Sequence, residues 1–188
     1  MSSACGGERT LGQFALVSYI PDPLASFLDR LRLDLEPQCR PHAHVTILPP
    51  RPFHHEISEA VEHLADEAKL FPPIEITLGE IEIFPVSNVI FIGIARGERD
   101  VRRLHDLMDT GTLHHRCPFE FHPHITIAQE LPAESVQEAA RIAREQWAAW
   151  DGPRAFTVDA MSFVQNVAPY LWVDLAKVPL ATPVPVGE

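Results

Sequence analysis

A six-residue pattern occurs twice in this chain, at positions 42–47 and 122–127. The first copy reads His-Ala-His-Val-Thr-Ile and the second reads His-Pro-His-Ile-Thr-Ile. Each copy stands near the start of a predicted strand, and a predicted helix follows each strand. A segment that recurs in the same local surroundings indicates a chain built from two related halves.

Alternation along a strand places the chemically active residues of each copy on one face. Because residues i and i+2 of a strand point the same way, His44 shares a face with Thr46, and His124 shares one with Thr126. The branched aliphatic residues between them point to the opposite face, where they can join a core. If the two halves meet about a pseudo-twofold axis, the two histidine–threonine pairs face each other across a cleft.

Two imidazoles that face each other can divide the work of acid–base catalysis. The unperturbed pKa of histidine, about 6.5, lies near neutral pH, so one ring can accept a proton while the other donates one. We therefore predict that His44 and His124 are catalytic. The hydroxyls of Thr46 and Thr126 are predicted to bind substrate by donating hydrogen bonds to phosphate oxygens. This chemistry requires neither a metal nor a cofactor, and none is predicted.

The spacing of apolar residues predicts an α+β fold with antiparallel sheets. Strands and helices interleave, but several neighbouring strands are close enough to form hairpins, which argues against a doubly wound parallel sheet. Pro49-Pro50 is predicted to end the second strand, and Gly79 to allow a bulge in the third. Helical spacing predicts helices near 24–35, 57–68, 101–108 and 136–143. Two-residue alternation and β-branched residues predict strands near 13–20, 44–48, 74–83, 88–95, 124–128, 155–165 and 169–175.

Length, charge and cysteine content restrict the class of protein. Residues 11–176 are predicted to form a single domain, with a flexible N-terminus at 1–10 and a proline-rich tail at 177–188. No apolar run approaches the roughly 18 residues that a membrane helix requires. The net charge of −11 argues against binding a long nucleic acid, because such binding depends on neutralising phosphates. Three cysteines without metal-type spacing favour reduced thiols in a cytoplasmic protein, and a monomer is expected.

The paired histidine-x-threonine motifs resemble those of the two-histidine phosphoesterase superfamily. Residues 41–50 and 121–128 are most similar to its RNA 2′,5′-ligase-like and cyclic phosphodiesterase branch. The resemblance implies a bilobal α+β fold, in which two pseudo-twofold-related antiparallel sheets surround a central groove and the helices lie outside. It also implies catalytic roles for His44 and His124, and phosphate binding by Thr46 and Thr126.

The function implied by the resemblance is that of a metal-independent phosphodiesterase that opens 2′,3′-cyclic phosphates. Its substrate would be a nucleotide cyclic phosphate or an RNA terminus. RNA 2′,5′-ligase activity is one alternative, and a non-catalytic module that binds a nucleotide or an RNA end is another. A metal-binding protein, in which the two H-x-H pairs supply four imidazole ligands, is less favoured because the carboxylate spacing is poor and the chain is helix-rich.

One position departs from that branch. A basic residue often follows the second motif in the ligase-like members, whereas this chain has Gln129 and Glu130. Arg51, just after the first motif, could supply positive charge instead, although a solvated loop arginine is the simpler interpretation. The acidic charge and this departure together favour a small nucleotide or an RNA terminus over an extended RNA strand.

Other ring-bearing residues carry weaker predictions. His42 and His122 could lie at the groove rim or behind the catalytic pair. Four aromatic residues could stack on a base, although core packing is favoured for them: Tyr19, Phe53, Phe121 and Trp172. The remaining histidines are predicted at the surface: His54, His55, His63, His105, His114 and His115.

Overall fold

Two four-stranded antiparallel sheets and four α-helices form most of the regular structure in residues 11–40 and 42–181, the part of the chain that the computed structural model describes. The predicted α+β fold with two antiparallel sheets is confirmed. In chain order the elements are β1 (Phe14–Tyr19), α1 (Leu24–Leu35), β2 (His44–Arg51), α2 (Ile57–Ala68), β3 (Ile74–Ile83), β4 (Ile90–Arg96), α3 (Glu98–Met108), β5 (His124–Ala128), α4 (Val136–Ala149), β6 (Ala155–Val158), β7 (Ala160–Ala168) and β8 (Leu171–Pro179).

The strand order shows how the two halves interlock. One sheet has the order β2-β1-β7-β8 and the other has the order β5-β4-β3-β6. The chain runs strand–helix–strand–helix through β1, α1, β2 and α2, and it repeats this order through β4, α3, β5 and α4. The strand after the first repeat, β3, pairs with β4, whereas β7, after the second repeat, returns to pair with β1. Each half therefore completes the sheet of the other, as expected for a pseudo-twofold duplication.

The main hydrophobic core includes side chains from both sheets and from all four described helices. Its largest fully buried side chain is Trp147 in α4, whose indole Nε1 donates to the carbonyl oxygen of Gly79 at 2.9 Å. Gly79 lies in the predicted bulge of β3, where the pairing with β4 shifts register between Leu78 and Ile81. A β-carbon at Gly79 would lie 3.3 Å from the carbonyl oxygen of Gly93, so the close approach of β4 favours glycine at this position.

The proline pair at 49 and 50 does not end the second strand, contrary to the prediction. β2 continues through it to Arg51. Proline lacks the backbone N–H that a central strand must donate, but β2 is an edge strand and needs donors on one side only. The pairing of β1 with β2 also shifts register between Phe14 and Leu16, opposite the prolines. An edge position and an irregular pairing therefore accommodate both residues.

The strand predicted over 155–165 is two strands in different sheets. β6 pairs with β3 and β7 pairs with β1, so the chain crosses between the sheets at Asp159. β8 then continues to Pro179, three residues into the tail predicted at 177–188, and Leu180 is buried after it. The first residues of the predicted tail therefore belong to the folded domain.

The flexible N-terminus predicted at 1–10 and the rest of the predicted tail, 182–188, lie outside the described residues. Cys39 and Cys117 form no disulfide among the described residues, and Cys5 falls in the undescribed N-terminal segment. Within the described part of the chain, no helix combines the length and the apolar character needed to cross a membrane.

Candidate active site

The two motif strands, β2 and β5, bring the predicted site residues to one groove. Each is the edge strand of its sheet, and Cα atoms of the two strands approach within 8 Å. Both strands have the same burial pattern, with the histidine and the threonine half-buried and the alternate residues fully buried. His44, Thr46, His124 and Thr126 therefore lie on the half-buried faces of two neighbouring strands, and the space between these faces is the candidate groove. The fully buried alternate residues are Val45, Ile47, Ile125 and Ile127.

Both catalytic candidates are held by the same kind of hydrogen bond. Nδ1 of His44 lies 2.6 Å from the carbonyl oxygen of His42, and Nδ1 of His124 lies 2.7 Å from that of His122. A carbonyl oxygen can only accept, so Nδ1 carries the proton and donates it in both rings. Each ring is therefore fixed in one tautomer, and Nε2 is the nitrogen available for proton transfer.

Helices α1 and α3 anchor the backbone that precedes each motif strand. In α1 the carboxylate of Asp29 accepts a hydrogen bond from the backbone N–H of Ala43 at 2.8 Å, immediately before β2. In α3 the guanidinium of Arg102 donates to the carbonyl oxygen of Phe121, shortly before β5. The position of each histidine is thus supported by a charged side chain from the helix of the same half.

The same helices also reach the motif strand of the other half. Glu36, which caps the C-terminal end of α1, accepts a hydrogen bond from the backbone N–H of Gln129 at 3.0 Å, just after β5. In α3, His105 donates from Nδ1 to the carbonyl oxygen of Ile47 at 2.7 Å and stacks on Phe121 with ring centroids 3.9 Å apart. His105 is therefore a half-buried link between the halves, and its prediction as a surface residue was wrong.

Burial favours the neutral form of both histidines. Desolvation in the groove lowers the pKa of His44 from 6.5 to about 4, although the hydrogen bond to the His42 carbonyl opposes this change. The positive charge of Arg32 lowers the pKa of His44 further, followed by the charges of His42 and His124. Burial also lowers the pKa of His124, against the opposing hydrogen bond to the His122 carbonyl. The effect of His124 on His44 indicates that the two rings are close enough to disfavour charging both.

The lowered pKa of His44 makes the stability of the fold depend on pH. The folded pKa of about 4 lies below the unfolded value of 6.5, so the unfolded chain binds the proton first as the pH falls. This contribution to stability is complete above pH 6.5 and is lost progressively as the pH falls toward 4. We expect His44 alone to reduce the free energy of unfolding by about 2 kcal/mol between pH 7 and pH 5.

Urea denaturation of the wild type and of His44→Asn at both pH values tests this expectation. The asparagine amide nitrogen can take the place of Nδ1 and donate to the His42 carbonyl, but the side chain does not titrate. The variant should therefore lose about 2 kcal/mol less stability than the wild type over this range. Equal losses in the two proteins would contradict the lowered pKa.

Two ring contacts flank the catalytic candidates. His42 is exposed and stacks on Tyr19, with ring centroids 3.7 Å apart and 9° between the planes. Tyr19 donates to Asp174 at 2.6 Å, and burial together with that carboxylate raises the pKa of the phenol. In the other half His122 is exposed and meets Phe84 edge-on, with ring centroids 5.2 Å apart. His42 and His122 therefore lie at the rim of the groove.

The other aromatic candidates divide between core and surface. Phe53 packs beside Phe14 and Phe163, with ring centroids 5.4 Å and 6.0 Å away, as core packing predicts. Phe121 is occupied by the stack with the α3 histidine described above. Trp172 on β8 is 38% exposed, so the prediction of core packing was wrong for this residue.

Arg51 fits neither of the interpretations that the sequence left open. Its side chain is buried at the end of β2, and its guanidinium pairs with Asp109, which follows α3. The same guanidinium donates to the carbonyl oxygens of Leu113 at 2.7 Å and Pro49 at 3.0 Å. Arg51 therefore anchors the loop between α3 and β5 to the end of β2.

Arg32 acts on the site and was not predicted from the sequence. It lies on α1, is buried, and its charge lowers the pKa of His44. A signal was present, because Arg32 follows Leu28 by one helical turn and therefore falls on the apolar face of the helix. A charged side chain on a buried face requires a functional or structural explanation.

The described residues contain no group of three or more histidine, cysteine, aspartate or glutamate side chains placed to hold a metal ion. His44 and His124 each use Nδ1 for a backbone hydrogen bond, which leaves one ring nitrogen for any ligand. Independence from metals and cofactors stays a prediction that the experiment below tests.

A profile of the 2′-5′ RNA ligase superfamily matches residues 20–168 of this chain. The chain belongs to this superfamily. The match includes both motif strands and both helices that support them. The resemblance predicted from the two histidine-x-threonine motifs is therefore confirmed.

Two curated bacterial proteins that are similar to this chain are described as candidate phosphoesterases. A protein of Bacillus licheniformis is 35% identical over 77 residues, which is 40% of this chain and 45% of the relative. A protein of Geobacillus kaustophilus is 27% identical over 130 residues, which is 64% of this chain and 70% of the relative. The chain thus aligns with less than half of the Bacillus protein.

Two solved structures share the fold of this chain. Escherichia coli LigT in complex with 3′-AMP matches with a TM-score of 0.60 at 16% identity, covering 92% of this chain and 100% of LigT. Kluyveromyces marxianus Usb1 with uridine monophosphate matches with a TM-score of 0.50 at 12% identity, covering 90% of this chain and 98% of Usb1. These matches confirm the predicted bilobal arrangement of two antiparallel sheets.

Proposed function

We propose that this protein is a metal-independent phosphodiesterase that opens 2′,3′-cyclic phosphates of nucleotides or RNA ends. The observation that carries the proposal is the placement of two half-buried histidines on facing edge strands, each with Nδ1 bound to the backbone and Nε2 available. With a phosphodiester between the rings, one can act on the attacking oxygen and the other on the leaving oxygen.

The surroundings of the two rings indicate how they divide these roles. We assign the general base to His44, because a pKa of about 4 keeps its ring neutral at pH 7. Arg32 is among the charges that lower the pKa of His44, whereas the charge that lowers that of His124 is His122. A bound phosphate raises the pKa of a nearby imidazole, so substrate favours the protonated form of His124 and makes it the general acid.

Each of the two rings moves one proton in the proposed hydrolysis. Nε2 of His44 removes a proton from water as the water oxygen attacks phosphorus. The bond from phosphorus to the 2′- or 3′-oxygen breaks, and Nε2 of His124 gives its proton to that oxygen. The product is a phosphate monoester beside a free hydroxyl, and the two rings then regain their starting forms by exchange with solvent. The hydroxyls of Thr46 and Thr126 donate to the non-bridging oxygens, where negative charge increases.

A small phosphate ester suits this chain better than a long RNA. The net charge of −11 disfavours contact with an extended phosphate backbone. The complexes of LigT with 3′-AMP and of Usb1 with uridine monophosphate support a nucleotide-sized ligand. RNA 2′,5′-ligase activity would use the same groups, with a ribose hydroxyl of a second RNA end in place of water. We also propose that the protein is monomeric and cytoplasmic, and the lack of a disulfide at Cys39 and Cys117 among the described residues is compatible with a reducing compartment.

Phosphorus NMR of the purified protein with 2′,3′-cyclic AMP in excess EDTA tests this function. We expect the ring to open at the same rate with and without chelator and to yield a single monophosphate isomer. A 2′-phosphate would identify the 3′-oxygen as the leaving group, and a 3′-phosphate the reverse. 3′,5′-cyclic AMP serves as the comparison substrate, because it lacks the strained five-membered ring.

Three other outcomes would change the assignment. Loss of turnover in EDTA that a divalent metal restores would overturn metal independence. Binding of the cyclic nucleotide without turnover would favour a non-catalytic module. Transfer of the phosphate to an added RNA with a 5′-hydroxyl, in preference to water, would favour ligase activity.

A further inference from the structure

Arg32 occupies an unusual position for a charged side chain. It is 9% exposed on α1, and its Nε atom is buried without a hydrogen-bond partner. The ion pairs formed among residues 11–40 and 42–181 involve other cations, including Arg51, Arg102 and Arg141. Burying a guanidinium nitrogen without a hydrogen-bond partner is costly, so the retention of Arg32 at this position requires an explanation.

The known contacts of Arg32 do not include a strong hydrogen-bond acceptor for its Nε atom. The charge of Arg32 acts on the thiol of Cys39, whose sulfur is a weak acceptor. Burial raises the pKa of the Asp29 carboxyl, and the charge of Arg32 opposes this change because it favours the ionised form. The Asp29 carboxylate accepts the backbone N–H of Ala43, and the Glu36 carboxylate accepts that of Gln129. A guanidinium has five donors in a fixed fork, which match two oxygens of a phosphate.

The two carboxylates also locate Arg32 between the motif strands. Asp29 lies three residues before Arg32 on α1, so the two share one face of the helix, and Glu36 follows Arg32 by four residues as the C-cap. The first of these carboxylates is bonded to the residue before β2, and the second to the residue after β5. Arg32 therefore stands where the helix passes from one motif strand to the other.

The second half of the chain has no such cation at the equivalent position. Buried residues Leu28 and Leu31 of α1 correspond in spacing to Val101 and Leu104 of α3, which makes His105 the counterpart of Arg32. His105 bonds to the backbone of β2 and stacks on an aromatic ring. The two halves thus share their motifs but differ at this helix position, where the half with His44 has Arg32 and the half with His124 has His105.

We propose that Arg32 binds the phosphate group of the substrate at the His44 side of the groove. This inference rests on the proposed function for the nature of the ligand. The terminal nitrogens of the guanidinium donate to phosphate oxygens, and the phosphate supplies the ion-pair partner that Arg32 lacks among the described residues. Gln129, the residue after the second motif, is uncharged. The proposed phosphate-binding cation is therefore Arg32 on α1.

Calorimetric titration with 3′-AMP and with inorganic phosphate tests this assignment in the wild type, Arg32→Gln and Arg32→Lys. The matched control is Arg30→Gln, which removes one positive charge from the exposed face of the same helix. We expect Arg32→Gln to weaken binding of both probes by about tenfold to a hundredfold, because a charge-assisted hydrogen-bond pair is lost. Arg32→Lys should recover part of this loss, and Arg30→Gln should bind like the wild type.

Unfolding and imidazole titration separate phosphate binding from a structural role. If Arg32 serves the ligand, Arg32→Gln should be at least as stable as the wild type, because it removes a buried unpaired charge. The pKa of His44, followed by NMR, should rise in this variant, because a neighbouring cation is lost. An unstable or unfolded Arg32→Gln, or one that binds both probes like the wild type, would overturn the proposal.

The same experiments distinguish this inference from the proposed function. If the wild type binds 3′-AMP through Arg32 but turns over no cyclic phosphate, the phosphate site is supported and the phosphodiesterase activity is rejected. A wild type that opens the cyclic phosphate, together with an Arg32→Gln variant of unchanged KM and unchanged affinity, would reject the role of Arg32 alone.

Discussion

His44→Asn and His124→Asn are each expected to slow the opening of 2′,3′-cyclic AMP by about 10³-fold. In both variants the amide can still donate to the carbonyl that holds Nδ1, so the local structure is kept. What is lost is Nε2, the atom that moves the proton. The main effect should fall on kcat and not on KM, because proton transfer occurs in the transition state.

Steady-state kinetics of the single variants, the double variant and a control measure this effect. Because the two rings act in one concerted step, the double variant should be little slower than either single variant. His63→Asn is the control, since His63 lies on the outer helix α2 and bonds to Thr110 at 3.1 Å, away from the groove. Retention of more than about a tenth of the wild-type kcat in either single variant would remove that histidine from the mechanism.

Arg51→Met is expected to reduce the free energy of unfolding by about 3–5 kcal/mol. The variant removes one partner of a buried ion pair and three hydrogen-bond contacts, to Asp109, Leu113 and Pro49. Burial disfavours the charge on Asp109, but the hydrogen bonds from Arg51 and from the His115 N–H outweigh it and hold the pKa of this carboxyl below its usual value. Without Arg51 the carboxylate is left without its main partner.

Urea denaturation at pH 7 checks this prediction, with two variants that isolate the cause. Arg51→Lys keeps the charge but not the fork of donors, and should lose less stability than Arg51→Met. Adding Asp109→Asn to Arg51→Met should recover part of the loss, because no unpaired carboxylate remains. A loss below about 1 kcal/mol in Arg51→Met would show that the ion pair does not hold the loop.

The part of the site that depends on local geometry could be predicted from the sequence. Alternation in a strand is a property of neighbouring residues, so the shared face of His44 and Thr46, and of His124 and Thr126, followed from the motifs. Most helices and strands followed in the same way from hydrophobic spacing.

Features that depend on distant partners could not be predicted in this way. Arg51 is buried because Asp109, 58 positions along the chain, is there to pair with it. The break at Asp159 separates strands that join different sheets, but the residues on both sides have the same alternating character. The prolines within β2 are tolerated at a sheet edge, and an edge is defined by strands that pair or fail to pair elsewhere.

The exchange of β3 and β7 between the sheets has a consequence for the ancestry of the fold. A chain with one repeat alone would have no second sheet for the strand that follows its second helix. Such a chain could complete its sheet by pairing with an identical chain, if each chain gave this strand to the sheet of the other. Such a swapped homodimer would carry two identical histidine-x-threonine strands about its symmetry axis and share one groove between two subunits. Fusion of the two copies would release them from symmetry, and the present difference between Arg32 and His105 is the kind of divergence that fusion permits.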